Sequence, residues 1–231
     1  MNTGRRFYEI FGKDPTVAAR APGRVNLMGD HTDYNKGFVL PTVIPQQSRV
    51  EAAVGSGLHE VYSATLGRTA RFNSGALTDF ARYVGGCVRV LEERGARIPP
   101  LQLRIVSDVP VGAGLSSSAA LEVATIRALD ALLGLKLKAE EVAVLAHKAE
   151  VKYAGVACGI MDQMVCSLAE SDLMLFLDTM TRERRLIPLP EETELLVVNS
   201  GIRSGCHRVQ SAPRRMRGCG SDARSTESAT G

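Results

Sequence analysis

A run of small residues, Pro110-Val111-Gly112-Ala113-Gly114-Leu115-Ser116-Ser117-Ser118-Ala119-Ala120, joins a stretch that reads as strand to one that reads as helix. Upstream, Leu101 to Val109 leans toward apolar and β-branched residues. Downstream, Leu121, Ala124, Ala128, Leu129 and Leu132 recur at helical spacing and predict a helix over Ser116 to Leu133. A strand, a turn of small residues and a helix start leave backbone N–H groups unpaired and aligned with the helix dipole, which favours a bound anion. Gly112 and Gly114 let the backbone approach a ligand closely. The hydroxyls of Ser116, Ser117 and Ser118 can cap the helix, bind phosphate oxygens or reach a metal ion. No Lys-Ser or Lys-Thr follows the second glycine, which excludes the common P-loop, and the missing third glycine excludes the dinucleotide fingerprint. An ordinary strand-to-helix turn would use the same residues; three serines at the helix start favour phosphate binding.

The 231 residues, 45% apolar and 23% charged, suit one soluble globular domain or two small ones. No apolar run is long enough to span a membrane, and Met1 to Arg6 lacks a secretory core, so a cytoplasmic location is expected. The cysteines 87, 158, 166, 206 and 219 are scattered without metal-ligand spacing and read as free thiols in a reducing compartment. Beyond Arg203, five arginines against Asp222 and Glu227 account for the whole formal charge of +3. Residues 1 to 203 are therefore formally neutral, with no basic face for nucleic acid and no protein partner evident.

Thr3 to Phe11 reads as a short helix ending at Gly12, and Val17–Arg20 and Arg24–Met28 as extended segments flanking Pro22-Gly23. Strands follow over Ser48–Val54, His59–Thr65 and Thr69–Phe72, with helices over Leu77–Glu92, Ala139–Lys152 and Asp162–Ala169. Leu173–Asp178, Arg184–Ile187 and Leu195–Asn199 alternate as strands. Strands and helices without regular alternation indicate an α+β domain with a mixed sheet. Ser204 to Gly231 has no Leu, Ile or Phe and no hydrophobic period, so it is expected to be disordered.

Two further stretches carry polar chemistry. Ala21-Pro22-Gly23-Arg24-Val25-Asn26-Leu27-Met28-Gly29-Asp30-His31-Thr32-Asp33-Tyr34-Asn35 gathers donors and acceptors able to hold a polyol, although the same residues also make solvated turns. In Cys158-Gly159-Ile160-Met161-Asp162-Gln163-Met164, Asp162 either caps a helix or stands beside a bound hydroxyl. Glu150, near the end of the preceding helix, is either a metal-facing acid or a surface glutamate.

Together the three stretches resemble the galactokinases, within the GHMP family of small-molecule kinases. Gly-Arg-Val-Asn-Leu-Met-Gly-Asp-His-Thr-Asp-Tyr-Asn is similar to their sugar-binding signature, Val-Gly-Ala-Gly-Leu-Ser-Ser-Ser-Ala-Ala to their ATP-phosphate motif, and Gly-Ile-Met-Asp-Gln to the stretch bearing their catalytic aspartate. The resemblance covers about Ala18 to Arg203 and includes Phe38-Val39-Leu40-Pro41 and Asn199-Ser200-Gly201-Ile202-Arg203. It implies a GHMP-type N-terminal lobe over residues 1–203 that phosphorylates galactose to galactose 1-phosphate with ATP and Mg²⁺. By the same resemblance Gly112, Ala113, Gly114, Leu115, Ser116, Ser117 and Ser118 cradle the ATP phosphates, and Ser118 and Glu150 hold Mg²⁺. Asp30, His31, Thr32 and Asp33 bind the sugar, and Asp162 orients or deprotonates its anomeric hydroxyl with Arg24 stabilising the transferred charge.

Two departures qualify the match. The signature usually has Glu where this chain has Asp30, one methylene shorter. Galactokinases also continue well beyond Ile202-Arg203 into a second lobe that is missing here. Codons from Cys206 onward, read one nucleotide later, permit ATGYNQRRAECEAA, a string resembling that continuation. The reading is therefore that residues 204–231 form a frameshifted tail and that this chain is weakly active or inactive. The alternatives are a kinase for a related sugar such as N-acetylgalactosamine or arabinose, a non-catalytic sugar and ATP sensor, and a non-functional fragment.

Overall fold

The computed structural model describes residues 5–73, 77 and 80–198. The tail beyond Ser204 and the Asn199–Arg203 stretch lie outside the described residues. After a short helix α1 (Phe7–Phe11), closed by Gly12 at φ +70°, come β1 (Val17–Asn26), β2 (Phe38–Val39), β3 (Pro41–Val54), β4 (His59–Ser63) and β5 (Arg68–Phe72). Helix α2 (Ala81–Glu93) leads to β6 (Leu101–Ser107) and then α3 (Ser117–Leu133) and α4 (Ala139–Ala149). A π-helical turn (Glu150–Ala154) extends α4, and α5 (Met161–Leu168), β7 (Leu173–Asp178) and β8 (Arg184–Pro188) complete the order. The strands form one eight-stranded sheet in the order β2-β7-β3-β6-β4-β5, with β1 also on β3 and β8 on β7. Among the described residues only the β4–β6 pair is parallel. The α+β, mixed-sheet expectation holds.

Burial in β3 alternates as a one-sided sheet requires: Ser48, Val50 and Ala52 are buried, whereas Arg49 is exposed. Helix α3 packs on β1 and β3, and its buried residues run almost all round it, from Ala119 and Val123 to Ile126 and Leu129. Such a helix reads as a buried rod rather than an amphipathic one. Two of its buried residues, Glu122 and Thr125, are polar. Thr125 returns its hydroxyl to the Leu121 carbonyl at 2.7 Å, whereas Glu122 belongs to the site described below.

Several boundaries differ from expectation for physical reasons. The two extended segments around Pro22-Gly23 are one strand, in which the register against β3 shifts between Pro22 and Arg24. Proline cannot donate to a ladder and is accommodated at such a bulge. The first half of β3 went unread because Pro41 and Pro45 argue against a strand, yet β3 runs from Pro41 to Val54. The helix expected over Leu77–Glu92 starts at Ala81, and α4 gives way at Glu150 to the π turn instead of running on to Lys152. The strand expected over Leu195–Asn199 is a correction: Leu195–Val198 has no strand structure and no ladder partner, and Asn199 lies outside the described residues. An apolar alternation becomes a strand only where a neighbour pairs with its backbone. Leu196 and Val198 stand 88% and 75% exposed.

Ile126, fully buried on α3, gives a direct measure of this core. Ile126→Ala is expected to cost about 2–5 kcal/mol, read as a lower urea midpoint with an unchanged slope.

Candidate active site

The bulge in β1 places the site. A Cβ at Gly23 would lie 2.8 Å from the Leu115 carbonyl oxygen, so only glycine lets the strand press against the small-residue loop. The Arg24 amide donates to that carbonyl at 3.2 Å. From this anchored backbone the Arg24 side chain reaches Asp162 at the start of α5, with Nε 2.7 Å and Nη2 2.6 Å from Oδ1. Its Nη1 donates to the Gly114 carbonyl at 2.6 Å.

The loop itself turns through left-handed backbone at Gly112, Gly114 and Ser116, with φ of +74°, +72° and +58°. Alternating left-handed residues aim successive N–H groups into one concavity, an anion nest at the mouth of α3. Ser116 is not a glycine, and that conformation is costly for it. Its hydroxyl donates to Asp162 Oδ2 at 2.6 Å, which holds it there. The expectation that the serines cap α3 therefore changes for Ser116: it precedes the helix but makes no side-chain cap bond. Gly112, Ala113 and Gly114 are exposed, while Leu115, Ser117 and Ser118 are half-buried.

Glu150, at the π turn, is 4% exposed. It accepts from Gln163 Nε2 and from the Ser118 hydroxyl, and Cys158 Sγ lies 3.7 Å from its Oε2. Burial first, and then the charge of Asp162, raise its pKa. Glu122 is fully buried; burial and the Glu150 charge raise its pKa well above the usual carboxylate value. Two buried acids beside Asp162, whose own cation is Arg24, leave this pocket short of positive charge. The hard oxygens of Ser118 and Glu150 suit Mg²⁺. Among the described residues no three His, Cys, Asp or Glu side chains form a cage for a metal ion.

The polyol stretch divides. Asp33 is nearly buried, its Oδ1 accepts from the Met161 amide at 3.1 Å, and burial raises its pKa against that bond. Gly159 is required here, since a Cβ would overlap the Asp33 carboxyl group. Asp33 is thus brought next to the residue preceding Asp162. Asp30 accepts from Asn26 Nδ2 at 2.7 Å, and His31 Nδ1 sits 2.6 Å from the Tyr34 hydroxyl, both exposed on the loop. The Thr32 hydroxyl closes that loop on the carbonyls of Gly29 and Phe38, at 3.0 and 2.6 Å.

One part of the site gave no sequence signal. A mostly apolar cavity beside Val111, Ser117 and Ser118 is lined by Leu66, Phe80, Tyr83 and Leu121. These residues come from distant segments, so no motif spells them.

The galactokinase galactose-binding signature matches residues 5–54, and the N-terminal domain of GHMP kinases matches residues 82–170. The chain thus carries the N-terminal domain of GHMP kinases together with the galactokinase galactose-binding signature, and is similar to the N-terminal part of galactokinases. It is 39% identical over 203 residues to a galactokinase of Thermosipho africanus, covering 87% of this chain and 56% of that protein. It is 37% identical over 207 residues to a galactokinase of Thermotoga maritima, covering 88% and 58%. The chain thus spans little more than half the length of these relatives. Among solved structures, Lactococcus lactis galactokinase complexed with galactose superposes with a TM-score of 0.72 at 32% identity, over 80% of this chain and 50% of that one. A mevalonate kinase of Methanococcus jannaschii shares the fold at a TM-score of 0.64 and 20% identity, over 76% and 56%.

The raised Glu150 pKa has a signed consequence. A carboxylate whose folded pKa exceeds its unfolded value stabilises the protein at low pH, and that stability is lost as pH rises through the folded value. Glu150→Gln in metal-free buffer is therefore expected to raise the thermal midpoint at pH 8. The gain should shrink on acidification and vanish below the ordinary value of 4.5, as measured by calorimetry across pH.

Proposed function

We propose that the encoded protein is a cytoplasmic sugar kinase that transfers the γ-phosphoryl group of ATP to the anomeric hydroxyl of galactose, giving galactose 1-phosphate and ADP. The observation that carries this reading is the Arg24–Asp162 pair, tied to the phosphate-binding loop through Gly114 and Ser116. The nest of Gly112 to Ser118 would hold the phosphates through its amides, and the cavity beside Phe80 and Tyr83 would take the base. Asp33 and the loop carrying Asp30 and His31 would hold sugar hydroxyls. Asp162 would orient the anomeric O–H and accept its proton as the O–P bond forms and the bond from phosphorus to the ADP oxygen breaks. Arg24 would hold the Asp162 carboxylate in place and face the charge developing on the transferred group. Ser118 and Glu150 would hold Mg²⁺, which when bound neutralises charge on the phosphate oxygens. A cytoplasmic location is supported by the unpaired thiols of Cys87, Cys158 and Cys166 and by the lack, among the described residues, of a helix able to cross a membrane.

More than two fifths of the Thermosipho africanus relative's length lies beyond this chain's match, so the 231-residue chain is expected to release little ADP on galactose. Robust turnover by the purified chain, in a coupled ADP assay, would overturn that expectation. In a form extended by the second lobe, Asp162→Asn should lower kcat by about 10²–10⁴-fold. The same assay with N-acetylgalactosamine and arabinose tests the sugar, because Asp30 is one methylene shorter than the usual Glu. We further infer that residues 204–231 are read out of frame, a reading supported by their loss of apolar residues and the compatible shifted codons. DNA sequencing past codon 231 should find a continuous frame offset by one nucleotide. Its absence would mean that the tail is genuine.

A further inference from the structure

Gln163 is fully buried in the first turn of α5, next to Asp162. Its Nε2 donates to Glu150 Oε2 and lies 3.5 Å from Glu122 Oε2. Glu122 stands one helical turn from Ser118, so both share a face of α3. One amide thus joins the helix that carries the nest, the π turn that carries Glu150, and the helix that carries Asp162.

The arrangement is expensive as packing. Glu122 Oε1 and Gln163 Oε1 are both buried without a hydrogen-bond partner. Apolar residues of similar shape would fill the same space without stranding those oxygens. A polar cluster kept at a cost to stability, in contact with a site acid, is better explained by positioning than by folding. We propose that Gln163 and Glu122 are positioning residues that hold the Glu150 carboxylate facing Ser118 and in fixed register with Asp162.

That role rests on Glu150 being the metal-facing acid. With Gln163 in place, the Glu150 carboxylate is held from the core side while its remaining lone pairs face Ser118. Gln163→Met keeps the volume, removes both N–H donors and frees that carboxylate to turn. Glu122→Met removes the other half of the grip from the α3 side. Glu122→Gln keeps the shape and an oxygen acceptor, and is the conservative control.

The test uses the full 231-residue chain and two readouts other than turnover. Mn²⁺ serves as the metal probe, titrated in the presence of ADP and followed by electron paramagnetic resonance. Without metal, the rate of Cys158 alkylation by iodoacetamide, read by peptide mass spectrometry, reports where Glu150 is, because the thiol lies 3.7 Å from that carboxylate. Gln163→Met is expected to weaken Mn²⁺ binding about 10–100-fold and to speed Cys158 alkylation several-fold, with a lower urea midpoint than the parent because the buried Glu150 carboxylate loses its amide donor. Glu122→Met should follow it, and Glu122→Gln should stay near the parent in both readouts. If Gln163→Met fails to fold, Glu122→Met carries the same expectation. Parent-like Mn²⁺ affinity and alkylation in the Met variants overturn the proposal. If the parent itself binds no Mn²⁺ with ADP, the assignment of Glu150 to the metal fails, while the alkylation rates still decide whether Gln163 and Glu122 hold it.

Discussion

The contact between Arg24 and Asp162 is what the rest of the site hangs on. A carboxylate at the start of α5 and a guanidinium on β1 are brought together across 138 residues of sequence, and each is also bound to the small-residue loop before α3. Either group left half-buried alone would be costly; paired, they set the spacing between strand, loop and helix. The strained backbone of Ser116 persists because Asp162 accepts its hydroxyl, and the loop takes its nest shape as a result. The structure thus stores strain where a ligand would bind and compensates it with a charged pair.

Around that pair the balance of charge is uneven. Asp33, Glu122 and Glu150 all have raised pKa values, and for each the leading cause is burial. A core designed for stability alone would not gather such groups. Their placement, Glu122 on α3, Glu150 on the π turn and Asp33 on the loop between β1 and β2 against the start of α5, puts three acids near one another with little positive charge to balance them.

Much of this was legible in the residues because the chemistry is local. Gly112, Gly114 and the serines announce a phosphate loop, and Asp162 sits in a short motif. What the sequence could not convey is long-range. Nothing near Gln163 marks it as a partner of Glu122 and Glu150, and Phe80, Tyr83 and Leu66 meet only through folding. Helix periodicity predicts α3, but nothing in that apolar spacing marks Glu122 as buried. Local propensity also misjudged the prolines of β3, where pairing with β1 and β6 overrides it, and the Leu195–Val198 alternation, which has no partner.

The close backbone contact at Gly23 bears on motion. Because the strand bulge lies against the Leu115 carbonyl and Arg24 bonds to it, the base of the small-residue loop is tied to the central sheet. Val111 to Gly114, beyond that tie, are exposed. Freedom to move is thus unequal along the loop: its far side can shift while its base keeps step with β1.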